Sequence, residues 1–280
     1  MTAVTAPHDS ASPVASPSTS YGRTWRVGIL VATAVAVVVA AFASPRQPQA
    51  IHYFDFADGR RLAGVPNALN VISNLAFLAV GLAGLAALYR GRARFGDPRE
   101  RAPWVVFFTG VALTGVGSTW FHLAPSAGTL VWDRIPMTLG FMGLLCALIA
   151  ERVDAVWGLR FLWPLVAAGL ASVLYWYFSE LAGAGDLRPY FLVQFYPLLA
   201  IPLLLLLFPA RYSRSLTYLT ALGAYLLAKV AESKDVELYE LGGILSGHTV
   251  KHLLAAAGIG AIVWMLKKRQ PLGNVGPLHG

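Results

Sequence analysis

Cysteine is all but missing from this chain: Cys146 is the only one in 280 residues, and it lies in an apolar run. That excludes a disulfide framework and a thiolate-held metal cluster, and it leaves the redox compartment unspecified. Charge is scarce as well, at 13% against 56% hydrophobic residues, and the mean hydropathy is positive. A chain of this composition has more apolar surface than a water-soluble fold can hide. Acidic residues are fewer still, 14 against 22 Lys and Arg, for a formal charge of +8. The basic residues lie between apolar runs instead of forming one aromatic-interleaved patch, so nucleic acid is not an expected partner and the charges read as topology signals.

What is present is a series of long apolar segments, and 280 residues could supply seven or eight spans of about 20 residues with short connections. No room is left for a large soluble domain. Residues 1–24 form a Ser-, Pro-, Ala- and Thr-rich tail without hydrophobic periodicity, expected to be disordered. The candidate spans are Trp25 to Ala43, Asn67 to Tyr89, Ala102 to His122, Thr129 to Ala150, Ala155 to Phe178, Tyr190 to Phe208, Ser215 to Ala231 and Gly242 to Leu266. The expected class is therefore an all-α membrane protein. Ala41-Phe42-Ala43 offers a small-x-small cleavage pattern, but the apolar stretch before it is longer than a usual signal h-region and follows a long tail. An uncleaved anchor is the expectation. An outer loop over residues 44–66, a membrane domain over 67–266 and a basic tail over 267–280 complete the division.

Lys and Arg in alternate connections set the orientation: fourteen collect on the side of Arg90 to Arg101, five on the other, and Arg134, Lys229 and Lys251 fall within spans. Both termini are expected in the cytosol.

Ionisable groups inside spans are costly and usually face an interior site. Three of the six histidines qualify: His122, His248 and His252. His248 and His252 are four residues apart, so a helix places them on one face where they could close on one ion. His122 ends the third span, and Ser118 precedes it by one helical turn. Asp133 opens the fourth span, in Trp132-Asp133-Arg134-Ile135-Pro136. Each of these alone could be a packing residue, interhelical glue or part of an ion pair. With alternating spans, however, the third ends while the fourth and eighth begin on the same outer side, so all of these residues share a depth. Three imidazoles leave the fourth tetrahedral position of Zn²⁺ open, the pattern of a catalytic site, and a nearby carboxylate could take a proton from water there.

In order and spacing, Ser118-x-x-x-His122, Asp133 and His248-x-x-x-His252 resemble the alkaline ceramidases, within the seven-span superfamily that includes the adiponectin receptors. The resemblance covers roughly Asp55 to Met265. Trp132-Asp133-Arg134-Ile135-Pro136 looks like the family's Asp-Glu-x-Pro segment with Arg for Glu. Asn67-x-x-Asn70-x-x-Ser73-Asn74 is similar to the polar signature of its first core helix. The resemblance implies a seven-helix bundle with Trp25 to Ala43 as an added N-terminal helix. It also implies a zinc amidase cleaving ceramide-like lipids to a sphingoid base and a fatty acid. His122, His248 and His252 would hold zinc, Asp133 would act as general base and then acid, and Ser118 would help stabilise the oxyanion. It implies a membrane lipid as partner; a bacterial member in the inner membrane is expected, and the arginine distribution puts its site towards the outer side. Animal members carry an acidic calcium site before the first core helix. Here Asp55 and Asp58 fit acidic positions, but Arg60 and Asn67 replace expected ligands, so calcium is not expected; Arg60 is expected to take its place, pairing with Asp58 or Asp55.

Two other readings arise. A receptor or scaffold of the adiponectin-receptor type would use the same metal site with little turnover. Paired histidines on membrane helices can also hold haem, but that leaves Asp133 and Ser118 without roles. A transporter lacks support, because no inverted repeat or pair of broken helices is visible.

Overall fold

The computed structural model describes residues 17–272, and no β-strand occurs among them. Ten helices follow one another: α1 (Pro17–Ala43), α2 (Ala68–Ser73), α3 (Leu75–Tyr89), α4 (Arg101–Leu123), α5 (Ala127–Arg152), α6 (Ala155–Leu181), α7 (Arg188–Leu207), α8 (Thr217–Ser233), α9 (Asp235–Gly242) and α10 (Gly247–Lys268). Seven helical stretches are long and apolar enough to cross a bilayer, counting α2 and α3 as one and including α1. α8 is shorter, at 17 residues, and carries Lys229 and Glu232 near its end. At 1.5 Å per residue it covers about 26 Å and completes the bundle against α10. The chain is thus an all-α membrane bundle, seven core helices with α1 added outside.

Expected and observed boundaries agree closely, with three differences. α1 begins at Pro17, inside the stretch read as tail, where a proline at the first helical position is already set to helical φ. The first 16 residues of that tail, His8 among them, lie outside the described residues, as do 273–280 with His279. The last span starts at Gly247, not Gly242. Gly243 takes a left-handed φ of 63° that ends α9, and the Ser246 side chain then caps α10 by accepting from the Thr249 N–H. The first core span is divided at Asn74 between α2 and α3.

α4 packs between α3 and α5, α5 against α6 and α7, and α10 closes the ring against α3 and α8. Small residues set the tightest crossing: a β-carbon on Gly117 would collide with the Trp132 carbonyl, so glycine alone lets α4 approach α5 where Ser118 and Asp133 lie. α1 packs closely on one helix, α7. Its end is pinned by Arg188, which donates to the Ser44 carbonyl at 2.6 Å while paired with Asp186 at 2.7 Å. That pairing holds the Asp186 carboxyl down at about 2.

The arginine-rich end contains more than topology signals. Arg269 is fully buried and donates to Glu151 at 2.6 Å, and Tyr218 donates to the same carboxylate at 2.9 Å. Tyr212 donates to Glu100 at 2.5 Å, Arg211 pairs with Glu100 at 3.5 Å, and the Arg269 guanidinium lies 3.9 Å from the centre of the Tyr212 ring. These groups join α4, α5, α8 and the end of α10, so the cost of burying each charge is offset by a partner.

Candidate metal centre

The N-terminal turn of α10 and the last turn of α4 meet at the end of the bundle opposite the arginine-rich one. His248 and His252 project from one face of α10, and their rings lie 4.9 Å apart. His122, over a hundred residues away in sequence, lies 4.7 Å from His248 and 5.2 Å from His252 between ring centres. All three are buried, and one ring nitrogen from each can be chosen so that the set lies within 4.8 Å. Among the described residues neither ring nitrogen of His122 has a hydrogen-bond partner, although the residue is wholly buried. Buried unpaired polar atoms are expensive, and a metal ligand is a standard reason for one. No family model matches this chain, nor does any curated protein. The centre must therefore be judged on its own geometry.

Its surroundings orient the ligands. The Ser73 hydroxyl lies 3.0 Å from the Asn70 carbonyl and 2.8 Å from Nδ1 of His252. With its one proton on that carbonyl, Ser73 can only accept from the imidazole, which puts the His252 proton on Nδ1 and frees Nε2 for a metal. Thr249 donates to Asn70 Oδ1 at 2.7 Å and ties α2 to α10. Asn67 donates to the His122 carbonyl at 2.9 Å and fixes the end of α4. Asp235 accepts the backbone N–H of His248 at 2.6 Å and that of Ala57 at 2.9 Å, clamping the start of α10 to the outer loop.

That loop covers the centre. Phe56 lies 4.6 Å from the His122 ring and 4.9 Å from His248, and Tyr53 and Phe54 pack on Phe121. Phe77 stands 5.8 Å from His252 and also lines an apolar pocket of about 150 Å³ between α3, α4, α5, α7, α8 and α10. A hydrophobic enclosure of this kind strengthens every electrostatic interaction inside it.

Asp133 is buried, and so is Ser118, across the close α4–α5 crossing at Gly117. Arg134 turns away from the histidines into an aromatic box, with its guanidinium carbon 4.2 Å from the centre of Trp176 and 4.8 Å from Tyr190, and donates to Gln49 at 2.7 Å. Asp133 is therefore not held by an ion pair with its neighbour, and no salt bridge forms at either residue among the described ones.

The acidic segment divides in a way the sequence left open. Asp55 is exposed and pairs with His52 at 3.0 Å. Asp58 is buried and receives Arg60 through two nitrogens, Nε at 2.7 Å and Nη2 at 2.9 Å. Arg60 also donates to the Gly243 and Ile244 carbonyls at 3.3 and 2.5 Å and lies 5.3 Å from the Tyr239 ring. Its guanidinium thus ties the outer loop to the turn before α10, and its hydrogen bonds hold the Asp58 carboxyl below the usual carboxylate range.

Lys251 escaped the sequence reading as anything beyond a charge in a span. Its ammonium lies 2.9 Å from Nε2 of His248 and 3.0 Å from Glu232, which also pairs with Lys229. An ammonium can only donate, so an ion at His248 would either bind through Nδ1 or displace Lys251 from Nε2. Glu232 provides the place to which the lysine can withdraw. The signal was present: a lysine between two intramembrane histidines, facing a span whose last turn contains a glutamate. The donor set, three neutral imidazoles without thiolate, suits a borderline ion such as zinc.

Proposed function

We propose that this chain is a zinc-dependent intramembrane hydrolase of the alkaline-ceramidase type, cleaving the amide bond of ceramide-like lipids to a sphingoid base and a fatty acid. The observation that carries the reading is the convergence of three buried histidines within an apolar bundle, with the buried carboxylate of Asp133 on the neighbouring helix where α4 and α5 cross closely. His122, His248 and His252 would hold the ion. Bound zinc supplies Lewis acidity towards a carbonyl and brings the pKa of water towards 7. Asp133 takes the proton as water attacks the amide carbon, then returns it to the departing nitrogen, so the amine leaves neutral as the C–N bond breaks. The Ser118 hydroxyl donates to the oxygen on which charge develops. The apolar pocket beyond Phe77 offers a place for part of an acyl chain. The site would open to the outer side of a bacterial inner membrane, with both termini in the cytosol, because the arginine-rich connections lie at the opposite end.

Metal analysis of the purified protein with a panel of labelled lipid amides tests this. About one zinc per chain and release of fatty acid are expected, with both lost on alanine substitution of His248 and His252. Stoichiometric zinc retained in that double variant would remove the assignment. Zinc with no turnover on any amide would favour the receptor-like alternative, for which the closed cover of Phe56 over the rings is the supporting observation.

A further inference from the structure

Because α7 is the one helix on which α1 packs closely, a cleft opens between α1 and α6, with α5 and α7 as its floor. It encloses about 2220 Å³ and runs from Phe42 and Tyr175 at one end to Arg23 and Arg160 at the arginine-rich end. Phe42 and Arg23 are nineteen residues apart on one helix, about 28 Å at 1.5 Å per residue, which is close to the thickness of a bilayer's hydrocarbon core. The walls are apolar, with Val31 and Val38 on one side and Phe161 and Leu165 on the other.

The mouth is not. Four arginines line it, Arg23, Arg99, Arg160 and Arg211, against two carboxylates, Asp97 and Asp154. Arg23 pairs with Asp154 at 3.3 Å, Arg99 with Asp97 at 2.7 Å, and Arg211 with the buried Glu100 at 3.5 Å. Arg160 lies 5.1 Å from the Trp157 ring and has no carboxylate within ion-pair distance among the described residues. A slot of membrane length, open to the bilayer and ending in excess positive charge, matches one kind of molecule in both its parts.

We infer that the α1–α6 cleft is a binding site for an anionic phospholipid of the leaflet on the arginine-rich side, its chains along α1 and its phosphate on Arg160 at the cleft mouth. Such a lipid adds to the hold that α7 and the Arg23–Asp154 pair have on α1. Arg160 belongs to neither the histidine centre nor the buried ion network, so the inference stands or falls apart from the proposed hydrolase activity.

The test is native mass spectrometry of the full chain in mild detergent, titrated with phosphatidylglycerol or with phosphatidylcholine of the same acyl chains. One phosphatidylglycerol should be retained in preference to phosphatidylcholine. Arg160→Gln should weaken that preference about fivefold, the effect of roughly 1 kcal/mol per arginine at a membrane surface. Ala171→Trp, which fills the exposed α6 wall of the cleft, should lower retention of both lipids. Equal retention of the two lipids, an unchanged preference in Arg160→Gln, or displacement of the adduct by inorganic phosphate alone would overturn the inference.

Discussion

Ser73→Ala tests whether the polar face of α2 holds the metal centre in shape. Ser73 and His252 are both buried, and the serine hydroxyl is the partner of the imidazole Nδ1 at 2.8 Å. Alanine removes one oxygen and little volume, so packing is nearly preserved and the loss is polar. The buried His252 N–H loses that acceptor, a cost of up to about 1–3 kcal/mol. Loss of a partner that orients a metal-ligating histidine typically costs 10–100-fold in metal affinity, which is about 1.4–2.8 kcal/mol and of the same size. The two figures describe one interaction, and the assay should detect it in two ways. Metal-free Ser73→Ala should unfold at a lower temperature than the metal-free parent, and zinc affinity from chelator competition should fall by 10–100-fold. Ser73→Thr, which keeps a hydroxyl, should recover most of the affinity. Parent-like zinc affinity and stability in Ser73→Ala would show that the tautomer argument for His252 is wrong.

Asp133→Asn should keep zinc and lower turnover by about 10²–10⁴-fold, since an amide fills the same space but cannot shuttle the proton; Ser118→Ala should lose less. Normal hydrolysis by Asp133→Asn refutes the mechanism. Cysteines placed at Ser126 and Gly91 report the orientation: Ser126, in the connection without arginines, should react with an impermeant reagent outside intact cells, and reaction of Gly91 alone reverses the topology. Arg60 holds the Asp58 carboxyl below its ordinary value, so the stability from this pair is present above the unfolded-state value, near 3.8, and is lost as pH falls through the lower folded value. Arg60→Ala should therefore flatten the acid limb of the stability profile, and activity of the parent should survive chelators that take calcium but not zinc. Strong activation of the parent by calcium, or an unaltered acid limb in Arg60→Ala, excludes the guanidinium as the tether.

Class and spans were legible because a bilayer leaves few solutions: backbone groups must be satisfied within each segment, so long apolar runs become helices. The candidate histidines were legible for the same reason, since an ionisable group within such a run is costly enough to stand out. Local spacing placed His248 and His252 on one face, and the alternation of spans placed His122 at their depth. Boundaries were less secure where backbone conformation decides: Gly243 in the left-handed region moved the start of α10 past the predicted Gly242.

Convergence itself belongs to the tertiary structure. Depth does not say which helices are neighbours; the α3–α10 contact and the close α4–α5 crossing at Gly117 bring the rings within 5.2 Å and Ser118 beside Asp133. The choice of Asp58 over Asp55 by Arg60 depends on a loop turning one carboxylate inward and leaving the other beside His52. Asp235 on the His248 N–H and Arg269 on Glu151 join elements that carry no mutual signal along the chain. Apolar pattern depends on solvent and is written locally, whereas a buried polar contact depends on which surfaces meet, and only the packed bundle settles that.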